Sequence, residues 1–334
     1  MKIKVAVVDT GVDTNHEYLK NNLVGGVSFD SKDGYIITSE DYEDQNGHGT
    51  SCASIIKKEF EDVEIFAIKA LDNLGRTNIQ ILEESLKYIL GTDIKIVNLS
   101  LSVMESELVR DLYKICEDLK NEGKIIICSV ANGFELSYPA QFDNVIGVRG
   151  FILEDEKSIW YNKNYEIQSI VDNNSYLSCD INNSYKLFGK CNSQAAAKLT
   201  GIIASLLNKD PDMRLEDINQ KLEKLCRKSN WTMKDLQSSK RYPEFKDDKI
   251  DKNSNLIKEV ESILREELEI DVYKDELYDM SLFNSYIGLN NNNCFNVIKK
   301  IEEKFDINLD YMSISRYDFV SIYTLADLVQ KNLN

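Results

Sequence analysis

Apolar, β-branched residues run almost without interruption over 3–8 and stop at Asp9-Thr10-Gly11. Such a run predicts a strand buried on both faces that delivers a carboxylate at its carboxyl end. Similar runs recur over 64–70, 95–100, 124–130 and 144–150. Between them, 79–90 and 106–121 carry apolar residues at helical spacing, as in Leu108, Leu112, Ile115 and Leu119. Strands alternating with helices predict right-handed crossovers and an α/β fold, a mostly parallel sheet with helices on both faces. Ligand sites in such sheets form beyond the carboxyl ends of the strands. Asp9, Ser100 and Asn132 all fall at or just past those ends.

The pattern then changes. Residues 154–184 are polar and irregular, and predict loops with short antiparallel strands. A turn follows, and after it a helix of small residues, Ala195, Ala196, Ala197, Gly201 and Ala204, which lets the helix sit deep in a core. A second helix is predicted over 215–226, after Pro211-Asp212. Residues 229–252 are strongly polar and read as a linker. Amphipathic helices over 256–268, 294–305 and 324–332 then predict a small all-α unit. The expected organisation is a first domain over 1–228, a linker over 229–252 and a helical domain over 253–334.

Composition narrows the class. The 334 residues are 43% hydrophobic and 29% charged, values of a soluble globular protein of more than one core. A formal charge of −16 argues against nucleic acid or an anionic membrane as partner, since both reward Lys/Arg patches. No stretch has the apolar length of a membrane helix, and the opening MKIKVAVVDTG reads as a strand and not as a signal peptide. The 7 cysteines form no CxxC pair, which predicts reduced thiols of a cytoplasmic protein and no metal site.

The candidate chemistry is concentrated. The chain has 2 histidines, His16 and His48, so a histidine base is nearly identified by counting. His48 stands in Asn46-Gly47-His48-Gly49-Thr50, where flanking glycines leave the imidazole unobstructed at the start of a helix over 52–56. Asp9 serves either as a turn former or as a buried carboxylate that orients the imidazole. Asn132, in Ala131-Asn132-Gly133, is either turn chemistry or a side-chain donor to a developing oxyanion. Ser193 opens the small-residue helix, as an N-cap or as a nucleophile.

Taken together, these residues resemble the subtilases, the subtilisin-like serine peptidases, over about 1–228 and in the family's order. Asp9 matches the Asp of the Asp-Ser/Thr-Gly block, His48 the His of His-Gly-Thr, Asn132 the oxyanion Asn and Ser193 the nucleophile. The resemblance implies that Ser100, Leu101 and Ser102 form the strand that pairs with substrate backbone. It implies an extended peptide or protein substrate, no cofactor, and no calcium between His48 and the strand near Phe66, where the chain is short. No pro-segment is expected ahead of Asp9, given the opening strand. Departures cluster at the nucleophile: Cys191, Asn192 and Ala197 stand where the family has Gly, Thr and Pro, with Ala131 and Ser102 also replacing Gly.

The segment 253–334 resembles an acyl carrier protein in Ser281-Leu282-Phe283, Ile287-Gly288-Leu289 and Thr324-Leu325-Ala326-Asp327-Leu328. Asn290-Asn291-Asn292 occupies the place of the serine that accepts phosphopantetheine, so no prosthetic group is expected. The expectation is a cytoplasmic serine endopeptidase that processes a ribosomally made precursor peptide, with a maturation partner docking on the tail. The alternative is a catalytically weak or inactive subtilase-fold protein that binds peptide and recruits that partner through its carrier-like tail.

Overall fold

The computed structural model describes residues 2–104, 109–238, 254–270 and 274–333. The chain divides into two compact units, the first made of residues 1–173, 179–183 and 189–241 and the second of 174–178, 184–188 and 242–334.

The first unit opens with β1 (Lys4–Asp9), buried from Val5 onward, followed by β2 (Leu23–Lys32) and β3 (Tyr35–Ser39). Helix α1 (His48–Glu59) leads to β4 (Glu64–Lys69), α2 (Ile79–Ile89) and β5 (Ile96–Leu99). Next come α3 (Arg110–Asn121), β6 (Ile125–Ser129) and β7 (Ile146–Phe151). The helix expected over 106–121 is thus observed from Arg110, and residues 105–108 lie outside the described residues. The irregular segment resolves into β8 (Ile159–Tyr161), β9 (Ser169–Asp172), β10 (Tyr176–Asp180) and β11 (Ser184–Phe188).

Nine strands form one sheet in the order β3-β2-β4-β1-β5-β6-β7-β9-β8. The pairs from β2·β4 through β7·β9 are parallel, and only the edge strands β3 and β8 run antiparallel to their neighbours. Because side chains alternate across a strand, Ala6, Val8, Val97, Leu99, Ile126 and Cys128 meet α2 and α3 in one apolar core. Helices α1 and α4 (Asn192–Lys209) pack on each other; α1 also packs on β1, and α4 on β5, β6, β7 and β9. At their crossing, a Cβ on Gly201 would lie 2.6 Å from Glu59 Cβ and 2.7 Å from Ile56 O. That distance is the physical reason for the small-residue helix.

The polar stretch after 228 does not leave this unit at once. Beyond α5 (Leu215–Leu225), the short α6 (Met233–Ser238) buries Leu236 against Leu153, Trp160 and Ile170, with Trp231 packed alongside. The rest of the expected linker, from 239, lies outside the described residues.

The second unit contains α7 (Asn255–Glu267), α8 (Lys274–Asp279), α9 (Cys294–Phe305) and α10 (Ile322–Asn332). The buried faces of α7, α9 and α10 share one apolar core that also takes in Leu177 of β10 and Leu187 of β11. These strands pair with each other, and Tyr176 of β10 also forms an antiparallel bridge with Ser315. Leu177 N–H donates to Ile314 O at 2.9 Å and Leu187 N–H to Asn291 O at 3.0 Å. The second unit is therefore built from discontinuous sequence.

Candidate active site

The strand order puts β1, β5 and β6 side by side, so Asp9, the segment Ser100–Ser102 and Asn132 line up along one carboxyl edge of the sheet. Asp9 is fully buried. Its Oδ1 accepts from Thr10 N–H at 2.8 Å and lies 2.7 Å from Nδ1 of His48, the first residue of α1.

Several groups hold α1 against β1. A Cβ on Gly49 would stand 2.1 Å from Gly11 O and 3.1 Å from Asp9 Cβ, so only glycine allows the helix start to come this close. Gly49 N–H donates to Thr10 Oγ1 at 3.0 Å, and Asp13 N–H to Thr50 Oγ1 at 3.0 Å. The N-cap Gly47 offers no side chain; buried Asp44 supplies the missing acceptor, taking Gly47 N–H at 2.9 Å, Thr50 N–H at 3.0 Å and Thr50 Oγ1–H at 2.7 Å. A carboxylate at a helix N-terminus satisfies donors that have no intrahelical partner and complements the helix dipole.

His48 is mostly covered, with its side chain 28% exposed. Burial alone would lower its pKa, but the charge of Asp9 opposes this, joined by Cys52 and by hydrogen bonds to both, and the balance lies well above the ordinary histidine value. Burial pushes the Cys52 thiol up in turn, against the lowering effect of His48. A polar chain runs on from there. Cys52 Sγ lies 4.0 Å from His48 Nδ1 and 3.5 Å from Ser100 Oγ, which accepts from Asn98 Nδ2 at 3.1 Å; Asn98 Oδ1 accepts from Thr200 Oγ1 on α4 at 2.9 Å.

Ser193 is the second residue of α4, 5% exposed. The N-cap is Cys191, in extended conformation and without a side-chain cap bond, so the capping role open to Ser193 in the sequence is not the one it plays. The Ser193 N–H belongs instead to the first helical turn, whose amide donors have no intrahelical acceptor. Burial raises the Cys191 thiol above its ordinary value, against the opposing effect of the Gln194 and Ser193 N–H groups. Asn132 is exposed, and its Oδ1 accepts from Asn192 N–H at 3.0 Å. Leu101 is buried in the sheet core and Ser102 half-buried; beyond them Val103 exchanges backbone hydrogen bonds with Tyr138 at 2.8 and 2.9 Å.

Direct hydrogen bonds thus join Asp9 to His48 and Asn132 to the turn that carries Ser193. Among the described residues, Asp9, His48 and Cys52 form the one group of ligand atoms close enough to hold a metal ion, all within 4.8 Å. A metal there would compete for Nδ1 and Oδ1, the atoms of the 2.7 Å hydrogen bond. Thr10 and Thr50 belong to the two blocks that the sequence singles out, whereas Asp44 escapes sequence reading, although it stands four residues before His48 at a turn-forming position. Chemically, the arrangement offers an oriented imidazole, and a hydroxyl on a helix N-terminus with amide donors in the same turn.

Comparison with known proteins places this geometry. The model of the subtilase family, peptidase S8, matches residues 1–242. The major intracellular serine protease of Bacillus subtilis (strain 168) is 31% identical over 221 residues, which cover 60% of this chain and 67% of that protein. The intracellular serine protease of Paenibacillus polymyxa is 27% identical over 219 residues, covering 60% of this chain and 65% of that one. Only 32% of the minor extracellular protease Epr of Bacillus subtilis is spanned. Among solved structures, sphericase superposes with a TM-score of 0.55 at 20% identity, over 66% of this chain and 82% of its own, a likeness of fold. With most of its length matched and the sheet and helices in place, the chain belongs to the subtilase family of serine peptidases.

Proposed function

We propose that the protein is a serine endopeptidase in which Ser193 attacks the scissile carbonyl, His48 takes and returns the proton, and Asp9 orients His48. Asn132 Nδ2 and the Ser193 N–H then hold the oxyanion, and water releases the acyl group. The observation that carries this reading is the 2.7 Å contact of a buried carboxylate with His48 Nδ1. It fixes the tautomer and compensates the imidazolium that forms as Ser193 loses its proton. The substrate lies extended along Ser100, Leu101 and Ser102 by strand addition.

Relatives named as intracellular proteases support a cytoplasmic setting, and among the described residues no helix is long and apolar enough to cross a membrane. In this reading the substrate is a specific ribosomally made precursor peptide, and the carrier-like tail docks a maturation partner. Asn290 and Asn293 support an unmodified tail: Asn293 Oδ1 accepts from Asn290 N–H at 2.7 Å, and Asn290 Oδ1 from Asn292 N–H at 2.9 Å, a closed turn with no hydroxyl to modify. Intact mass checks this directly, since a phosphopantetheine-sized increment on 253–334 contradicts it.

Incubation with a peptide library tests the activity. Products made by the wild-type protein and absent with Ser193→Ala support the endopeptidase. The same products from both preparations assign the cleavage to something other than Ser193.

A further inference from the structure

Asn192 is the residue immediately before the serine, in the place where the family resemblance expects Thr. Its side chain is 8% exposed and satisfied at both ends. Oδ1 accepts from Gly150 N–H on β7 at 2.9 Å, and Nδ2 donates to Val130 O at 2.9 Å, with Ala131 O at 3.5 Å. Val130 and Ala131 are the two residues that lead from β6 into Asn132. The main chain of the same residue makes the return contact, since Asn192 N–H donates to Asn132 Oδ1 at 3.0 Å.

One residue thus grips the segment carrying Asn132 at two points, at its backbone through a side-chain amide and at its side chain through a backbone amide. The second grip has a directional consequence. A backbone N–H can only donate, so the oxygen of the Asn132 amide faces the nucleophile turn, and its NH2 group is left out of that contact. That is the orientation in which Asn132 has donors to offer a substrate oxygen. The first grip sets the separation between Asn132 and the Ser193 N–H, because the carbonyls at 130 and 131 are held to the residue next to Ser193. A threonine hydroxyl is one bond shorter and has a single donor, so it cannot span Gly150 N–H and Val130 O as the asparagine amide does.

We infer that Asn192 is a positioning residue that holds the oxyanion donor Asn132 in register with Ser193; the inference rests on the serine peptidase reading. It touches no reacting atom, and its effect passes through Asn132. A residue of merely structural importance would weaken the fold and slow the reaction whether or not Asn132 is present. A positioning residue loses its effect once the group it positions is gone.

The test is a cycle of four full-length proteins: wild type, Asn192→Ala, Asn132→Ala and the double variant. Each is reacted with a fluorophosphonate, and the labelling rate is separated into affinity and maximal rate. A misplaced donor predicts that Asn192→Ala lowers the maximal rate roughly 10- to 100-fold with affinity nearly unchanged. In the Asn132→Ala background the same change should cost no more than about twofold, the scatter of independent sites. Equal losses in the two backgrounds, or a loss confined to affinity, overturn the inference while leaving the peptidase reading intact. If Asn192→Ala does not fold, Asn192→Ser, which offers a short hydroxyl in place of the amide and cannot reach both Gly150 N–H and Val130 O, is carried through the same cycle with the same expected pattern. A wild-type protein that takes no label overturns the peptidase reading, and the inference falls with it.

Discussion

Burial and Asp9 act on His48 in opposite directions, and the outcome decides when the imidazole can serve as a base. With the pKa held well above its ordinary value, His48 stays protonated into a range where a free histidine, near pH 6.5, is already neutral. Turnover should therefore rise with pH through a midpoint above about 6.5, the value of an unperturbed histidine. The stability linkage has the opposite sense. A raised folded pKa contributes stability that is complete below the unfolded value and lost as pH rises through the folded one, so the pair with Asp9 loosens as activity appears. Asp9→Asn should lower the rate on the order of 10⁴-fold by releasing the imidazole tautomer. It should also move the acid limb of the profile downward, because the charge that most opposes burial is then gone. A pH–rate profile of both proteins checks each half. At this scale much was legible: two histidines and the short blocks Asp-Thr-Gly, His-Gly-Thr, Asn-Gly and Asn-Ser, in that order, point to Asp9, His48, Asn132 and Ser193 as candidates. The grips of Asp44 and Asn192 were not, because each depends on partners brought together by folding.

The elements that position these groups are set by close approach. Helix α1 reaches β1 only because residue 49 lacks a Cβ. Gly49→Ala must push the helix start away from Gly11 and with it His48 from Asp9. A loss of roughly 10²-fold in rate is expected, the scale of a displacement near 1 Å, measured as fluorophosphonate labelling of protein that retains its circular dichroism. Gly201→Val acts at the α1–α4 crossing, where a Cβ already meets Ile56 O and Glu59 Cβ. It should destabilise the fold by about 1–3 kcal/mol, as overpacking does, read from chemical denaturation. The central strands were readable as apolar runs because both faces are buried. The edge pair β2 and β3 was not read, since β2 contains Gly25-Gly26 and ends in exposed polar residues. β8 to β11 are only 3–5 residues long, and polar residues such as Ser169, Asp172, Asn174 and Ser178 are buried there, which removes the alternation that marks a strand.

At the scale of the molecule, the second unit is not confined to the carboxyl-terminal sequence. Leu177 and Leu187 are 0% and 2% exposed and belong to the core that α7, α9 and α10 share. Polar composition alone could not reveal this, because the hairpin that carries them sits among irregular, polar sequence and its backbone hydrogen-bond partners Ile314 and Asn291 lie more than a hundred residues later. A chain ending at Arg241 should expose both leucines, at a cost of roughly 1.5–3 kcal/mol for each buried leucine side chain. Its melting temperature should fall below that of the full chain and its tendency to aggregate rise, followed by scanning fluorimetry and light scattering. An unchanged melting profile of the first unit contradicts this.

The most direct measurement is the site of covalent capture. The folded protein is reacted with a fluorophosphonate, digested and mapped by mass spectrometry, beside Ser193→Ala and His48→Ala. The account predicts a single adduct on Ser193, absent from Ser193→Ala and strongly slowed in His48→Ala. An unlabelled folded protein, or an adduct on another residue that persists in Ser193→Ala, would contradict it.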